Sequence, residues 1–305
     1  MNKVLVTGAT GYIGSMLVRR LIAEGREVHI ILRPTSSLDG VSDLEDRLIV
    51  HVHDGTTQGL IDLVKVASPA VVFHLASLFL AQHAAEDVER LVTSNLLFST
   101  QLAEAMMSNK VSRLINTGTS WQHYQGKAYN PVCLYAATKQ AFEDVLEYYV
   151  QAQGLRVITL KLFDTYGPFD PRPKLFALLE RSSKSSAPLD MSKGEQQIDM
   201  VFIDDVVEAY MLAGERLSQG VVQSHERFAV SSGQGISLRE FVAVYEAVRG
   251  GKLPIRWGER PYRAREVMTL WRDFETLPGW SPKVGLREGI ALVAKSYSKN
   301  DVTKV

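Results

Sequence analysis

The chain has 305 residues, of which 46% are hydrophobic, enough to fill the core of one large domain with a smaller lobe. Its 34 Lys and Arg residues balance its 34 Asp and Glu residues, which excludes a bulk electrostatic pull on nucleic acid or an anionic membrane. Any anion must therefore be held by a local device.

The opening "MNKVLVTG" runs straight into a strand pattern and leaves no room for a cleaved leader, and no apolar run reaches membrane-spanning length. A single cysteine, Cys133, excludes an internal disulfide framework and fits a reducing compartment, so a cytoplasmic location is expected. "KVLVTG" (3–8) is an apolar, β-branched run closed by glycine, "YIGSMLVRRLIAEG" (12–25) has helical spacing up to a glycine stop, and "EVHIILR" (27–33) reads as a second strand. The alternation continues through "RLIVHVHD" (47–54), helical "GLIDLVKVA" (59–67), "AVVFHLA" (70–76), a long helix within 85–108, "RLINTG" (113–118), a helix from about 134, and "RVITLKLF" (156–163). Nearly continuous apolar strands separated by amphipathic helices predict an α/β fold, a doubly wound parallel sheet covered on both faces. After 163 the texture changes to "DTYGPFDPRPKLF" and the loop-like "RSSKSSAPLDMSKGEQQ", before "RFAVSSG" (227–233) returns as a strand. The expected division is a dinucleotide-binding domain over 1–163 with returns near 196–233, and a substrate-binding lobe formed by 164–195 and 234–305. Ligands of open α/β sheets bind at the carboxyl edge that such a lobe would close.

"TGATGYIG" sets Gly8, Gly11 and Gly14 in a tight turn between the first strand and its helix, with Thr10, Tyr12 and Ile13 in the same turn. This context suits a diphosphate, because backbone approaches closely and free helix N–H groups face the anion. Where an acidic residue would bind ribose hydroxyls at the end of the second strand, the sequence has Arg33, followed by Thr35, Ser36 and Ser37. A guanidinium there suits a ribose 2′-phosphate, so NADPH is favoured over NAD. Asp54, at the end of the third strand, either accepts from the adenine amino group or caps a turn. Farther on, Tyr135 and Lys139 lie one helical turn apart and share a face, so a phenol and an ammonium approach one small volume. A nearby cation favours the ionised phenol, which makes the pair a source or sink of protons.

The glycine loop, "FHLAS" (73–77) with Leu75 and Ala76, Asn95, Tyr135 with Lys139, "KLFDTYGP" (161–168) and "MVFIDDVVEAY" (200–210) occur in order. Together they resemble the extended short-chain dehydrogenase/reductase family, many of whose members act on nucleotide-activated sugars. The resemblance implies a Rossmann-type fold, no metal, and a catalytic set of Thr119, with Ser120 and Thr117 as alternatives, together with Tyr135 and Lys139. Tyr135 would exchange a proton with the sugar oxygen, Lys139 would bond the nicotinamide ribose and lower the phenol's pKa, and Thr119 would bond the reacting oxygen. Ser120 and Trp121 stand where family 4,6-dehydratases carry an Asp-Glu pair, which argues against dehydration. Arg33 departs from the acid common in epimerases that retain NAD. Asp164 replaces an Asn near the substrate diphosphate, where a carboxylate needs a compensating charge. Several segments are similar to reductases of CDP-linked 4-keto-6-deoxy sugars, with Lys174, Arg263 and Arg265 facing the diphosphate and Ser120, Trp121 and Asp164 beside the substrate. Trp121, His123 and Tyr124 either line the sugar pocket or only pack, and His74 belongs to structure rather than chemistry. The expected function is NADPH-dependent 4-keto reduction of a nucleotide sugar by a homodimer. An epimerase and a non-catalytic dinucleotide sensor are the alternatives.

Overall fold

The computed structural model describes residues 2–185 and 187–302. Its first half runs β1 (Lys3–Thr7), α1 (Tyr12–Ala23), β2 (Glu27–Leu32), β3 (Leu48–Val52), α2 (Thr57–Ala67) and β4 (Val71–His74). Then come α3 (Val88–Val92), α4 (Phe98–Ser108), β5 (Arg113–Thr119), α5 (Leu134–Gln153) and β6 (Arg156–Leu162). The remainder is β7 (Asp164–Tyr166), α6 (Leu175–Ser183), β8 (Leu189–Met191), β9 (Gln197–Ile198), β10 (Met200–Phe202), α7 (Ile203–Ser218), β11 (His225–Val230), β12 (Ile236–Ser237), α8 (Leu238–Arg249), β13 (Ile255–Trp257) and α9 (Leu286–Val302).

The main sheet is parallel throughout, in the order β11-β6-β5-β4-β1-β2-β3. Strand alternation divides the core between its two faces. Val4 and Val6 of β1 and Val71 and Phe73 of β4 pack with Leu17, Leu21, Val206 and Tyr210 of α1 and α7. Leu5 and Val72 point the other way, onto Leu60, Leu102, Met106, Phe142 and Leu146 of α2, α4 and α5. Fully burying one such side chain stabilises the fold by about 1.5–3 kcal/mol, so a strand apolar on both faces is fixed in place from both sides. The strand order reverses between β1 and β4, and the crevice at their carboxyl ends is where such a sheet binds ligands.

The long helix expected within 85–108 is present as an unbroken run over 88–108, preceded by a 3₁₀ turn at Ala85–Asp87 and made of α3, a π turn at Thr93–Leu97 and α4, the π turn being the feature that the sequence did not announce. The π turn carries the fully buried Asn95. Its Oδ1 accepts from Leu78 N at 2.7 Å, and its Nδ2 donates to Leu78 O and Thr138 Oγ1 at 3.0 Å each, so the wider turn buries an amide that ties the loop after β4 to α5. The returning strand is β11, which begins two residues earlier than its apolar run suggests and pairs with β6. Beyond β6 the chain makes small pairs, β10 with β7, β9 with β12 and β8 with β13. No helix among the described residues is long and apolar enough to cross a membrane.

Candidate active site

The glycine turn leaves β1 at Gly8, whose φ of 73° is in the left-handed region. A Cβ there would lie 2.6 Å from Ala76 N, and one on Gly14 would overlap the Gly8 carbonyl oxygen. Backbone thus approaches backbone on both sides of the crevice, bringing Leu75 and Ala76 against the turn as expected. Thr10 and Ile13 stay in this turn, and the Thr10 carbonyl meets the loop at Gly40. The Tyr12 side chain turns elsewhere: its hydroxyl donates to Pro168 O at 3.0 Å while the Arg172 guanidinium covers its ring at 4.7 Å. Tyr12 contributes the helix N-terminus to the cradle and its phenol to a brace.

Arg33 is exposed just past β2, and its guanidinium makes no hydrogen bond or ion pair among the described residues. Ser36 and Ser37 accept backbone bonds in the same turn, from Arg33 N at 3.2 Å and Asp39 N at 3.0 Å, which leaves their hydroxyl protons available. Asp54 takes the capping role that the sequence left open. Its Oδ1 accepts from Thr56 N and Oγ1 at 2.8 Å each, and these bonds hold its carboxyl below the usual range.

Three loops converge on the carboxyl ends of β4, β5 and β6. Tyr135, in the first turn of α5, is buried with Phe79 edge-on to its ring at 5.0 Å, and Phe79 also meets Trp121 at 5.5 Å. Thr119 ends β5, buried, its Oγ1 accepting from Trp121 N at 3.2 Å. Lys139 is 1% exposed and its Nζ has no hydrogen-bond partner among the described residues. A buried ammonium without a partner, one turn from a phenol and beside a glycine cradle, fits the ribose hydroxyls of a dinucleotide.

Burial corrects the electrostatic expectation for this pair. It pushes the Tyr135 phenol up to about 12, opposed by a hydrogen bond with Ser77, and pushes Lys139 down to about 8, opposed by Glu143. Helical spacing shows the cation near the phenol but not the desolvation of both, and desolvation dominates. At neutral pH the phenol is protonated, which makes it a donor.

His74 is structural, as expected. Ser99 Oγ donates to Asn95 O at 2.9 Å and so accepts from His74 Nε2 at 2.8 Å, which leaves His74 Nδ1 to accept from Thr7 Oγ1 at 2.8 Å. Burial and then the charge of Lys139 hold this imidazole well below its ordinary pKa. Thr117 is similarly engaged: it donates to His74 O at 2.8 Å and bonds the Tyr210 hydroxyl at 2.7 Å.

A cleft of about 200 Å³ opens beside Ser120, Trp121, His123, Asp164, Arg263 and Trp271. A cavity of about 270 Å³ between Met200, Ser232 and Lys283–Leu286 carries none of the predicted catalytic residues. The Trp271 ring stacks on His123 at 3.8 Å, closing one wall with a side chain that no sequence signal links to the site. Burial lifts the Asp164 carboxyl, while Lys174, Arg263 and Arg172 pull it back, so the compensating charges it needs are present. Arg263 covers Trp121 at 5.3 Å and is paired with Glu266 at 2.5 Å. Lys174 lies 5.5 Å over Phe79. The Arg265 guanidinium covers Tyr124, which lines the cleft, at 4.3 Å and donates to the Asn130 side chain. Sequence reading assigned no role to Ser77, Phe79, Gln122 or Glu143; Ser77 closes the "FHLAS" motif and Glu143 lies one turn after Lys139, so those two had a signal.

The chain is similar to known proteins along most of its length. Residues 4–226 match the NAD dependent epimerase/dehydratase family. A CDP-abequose synthase of Salmonella muenchen is 26% identical over 299 residues, covering 95% of this chain and 96% of its own. A UDP-glucose 4-epimerase of Mycolicibacterium smegmatis is 28% identical over 332 residues, covering 97% and 98%. The Thermus thermophilus UDP-glucose 4-epimerase, solved in complex with NAD, superposes with a TM-score of 0.80 at 28% identity, over 97% of this chain and 99% of that one. Since the family match runs from β1 into β11 and takes in the glycine turn, Thr119, Tyr135 and Lys139, the chain belongs to the NAD dependent epimerase/dehydratase family.

Proposed function

We propose that the protein uses NADPH to reduce the 4-keto group of a nucleotide-linked 4-keto-6-deoxyhexose. The observation that carries this reading is Arg33, an exposed guanidinium past β2 with hydroxyls of Ser36 and Ser37 in the same turn. That set suits a 2′-phosphate, and a phosphorylated coenzyme that enters reduced and leaves oxidised belongs to net reduction. Similarity to CDP-abequose synthases supports the sugar class. When bound, the coenzyme supplies the hydride. Tyr135, protonated at neutral pH, donates a proton to the sugar oxygen, and Thr119 stabilises the negative charge that grows there. Lys139 holds the nicotinamide ribose. Residues 164–195 and 234–305 form the sugar-nucleotide side, with Arg263 and Asp164 in the cleft and Lys174 among the charges that bear on Asp164.

Similarity to UDP-glucose 4-epimerases favours a second reading, epimerisation through transient oxidation by retained NAD or NADP. Nicotinamide absorbance separates the two. The purified protein is given NADPH or NADH with CDP-, dTDP- and GDP-linked 4-keto-6-deoxyhexoses. One NADPH lost per product is the reductase result; a changed configuration with no net loss makes the protein an epimerase.

Arg33→Asp is expected to lower the preference for NADPH over NADH by about 10- to 100-fold, the effect of a charge-assisted hydrogen bond replaced by repulsion. An unchanged ratio of kcat/KM values would remove Arg33 from coenzyme selection. A homodimer belongs to the same proposal, supported by exposed Val92, Leu97 and Tyr148 on the segment from α3 through α5. Sedimentation as monomer alone at micromolar concentration would rule it out.

A further inference from the structure

A buried polar chain behind the catalytic set has no part in proton or hydride transfer. Glu143 is fully buried, on the face of α5 that carries Lys139 and Tyr135 one and two turns earlier. Its Oε1 accepts from Gln122 Nε2 at 2.7 Å, and Gln122 Oε1 in turn accepts from Thr119 N at 2.9 Å. Gln122 is also fully buried, and its Nε2 donates a second bond to Gln140 at 2.8 Å. Gly118 opens the space for this amide, since a Cβ there would lie 3.0 Å from Gln122 Oε1. The other Glu143 oxygen accepts from Arg227 Nε at 3.2 Å and lies 3.6 Å from Lys161 Nζ.

Resting on the assignment of Thr119, Tyr135 and Lys139 as the catalytic set, we propose that Gln122 and Glu143 are its positioning residues. Gln122 pins the end of β5 to α5, so the Thr119 hydroxyl and the Tyr135 phenol face one substrate oxygen from a common frame. Deeper in the fold the two elements meet through apolar packing, with Leu114 of β5 in one cluster with Phe142 and Leu146 of α5, and at the end that carries Thr119 the amide bridge supplies a buried polar tie between them. Glu143 anchors that bridge and is also the carboxylate that opposes the loss of charge at Lys139. The groups bearing on the Lys139 charge are Glu143 on its own helix and His74 at the end of β4, which burial keeps neutral. Lys161 on β6 and Arg227 on β11 bear on Glu143.

The primary test is Gln122→Met, which removes the bridge at similar volume without changing any charge. The expected result is a fall in kcat of about 10-fold or more with KM for the keto sugar little changed, as misorientation predicts. Backbone hydrogen exchange at Thr119 should quicken in the same protein. Wild-type kcat together with wild-type exchange would overturn the proposal, as would a change confined to KM. Glu143→Gln is the second variant, and it should move the alkaline limb of kcat and the Lys139 titration, followed by NMR of labelled lysine, to lower pH. An unmoved lysine titration would remove Glu143 from the positioning set. If wild-type protein turns over no keto sugar, the functional reading fails by itself, and the exchange and titration arms still decide this proposal.

Discussion

Tyr135→Phe lowers kcat for keto-sugar reduction by about 10²–10⁴-fold, the usual contribution of a positioned acid, while coenzyme affinity stays near that of the wild type. The hydroxyl is the only part removed. The Phe79 ring that meets Tyr135 edge-on at 5.0 Å meets the phenylalanine ring equally well, so packing and thermal stability change little. The direction of proton transfer follows from burial, which holds the phenol at about 12. A reduction needs a group that arrives protonated, and at neutral pH this one does. Turnover by the variant at more than a tenth of the wild-type rate would assign the proton to Thr119 or to water instead.

Gly14→Ala should abolish coenzyme binding, measured by fluorescence titration of NADPH, and should lower the melting temperature. The new methyl would overlap the Gly8 carbonyl, so α1 must move away from β1 and carry the N–H groups of its first turn with it. Overpacking of this kind costs about 1–3 kcal/mol, and here the obstacle is backbone that cannot change rotamer. Gly11→Ala is the internal comparison, because its methyl would stand 3.3 Å from the same carbonyl and needs only a small adjustment. Equal affinities for the two variants would mean that the turn is not the coenzyme cradle.

The main sheet and its helices were legible because several of its strands are nearly continuous apolar runs and several helices end in a marked stop, as at Gly154 with φ 74° after α5. The glycine turn and the Tyr135–Lys139 pair were legible because their spacing is local. What the sequence hid depends on desolvation or on distance. The raised phenol and lowered lysine come from burial that no periodicity reports. Trp271 reaches His123 from far along the chain. Asp54 could be read two ways, and only the structure shows that Thr56 takes one of its two oxygens. Arg263 and Arg265 look alike in "RPYRARE", yet one covers Trp121 and pairs with Glu266 while the other covers Tyr124 and donates to Asn130. Glu143 was there to be found, since the spacing that joins Tyr135 to Lys139 also reaches it.

The widened turn at Thr93–Leu97 makes one continuous rod serve two clients. Each residue of a helix advances the side-chain direction by about 100°, so one additional residue rephases everything downstream. Ahead of the step, Leu91 is buried; beyond it, Leu102 and Met106 reach the sheet; at the step, Asn95 leaves the rod to tie down the loop after β4. A single residue lost there would put the two halves back in phase and turn one of them away from its partner. Length is therefore under stricter control inside this helix than in the exposed loops of the second lobe, where an insertion alters reach and leaves every register intact.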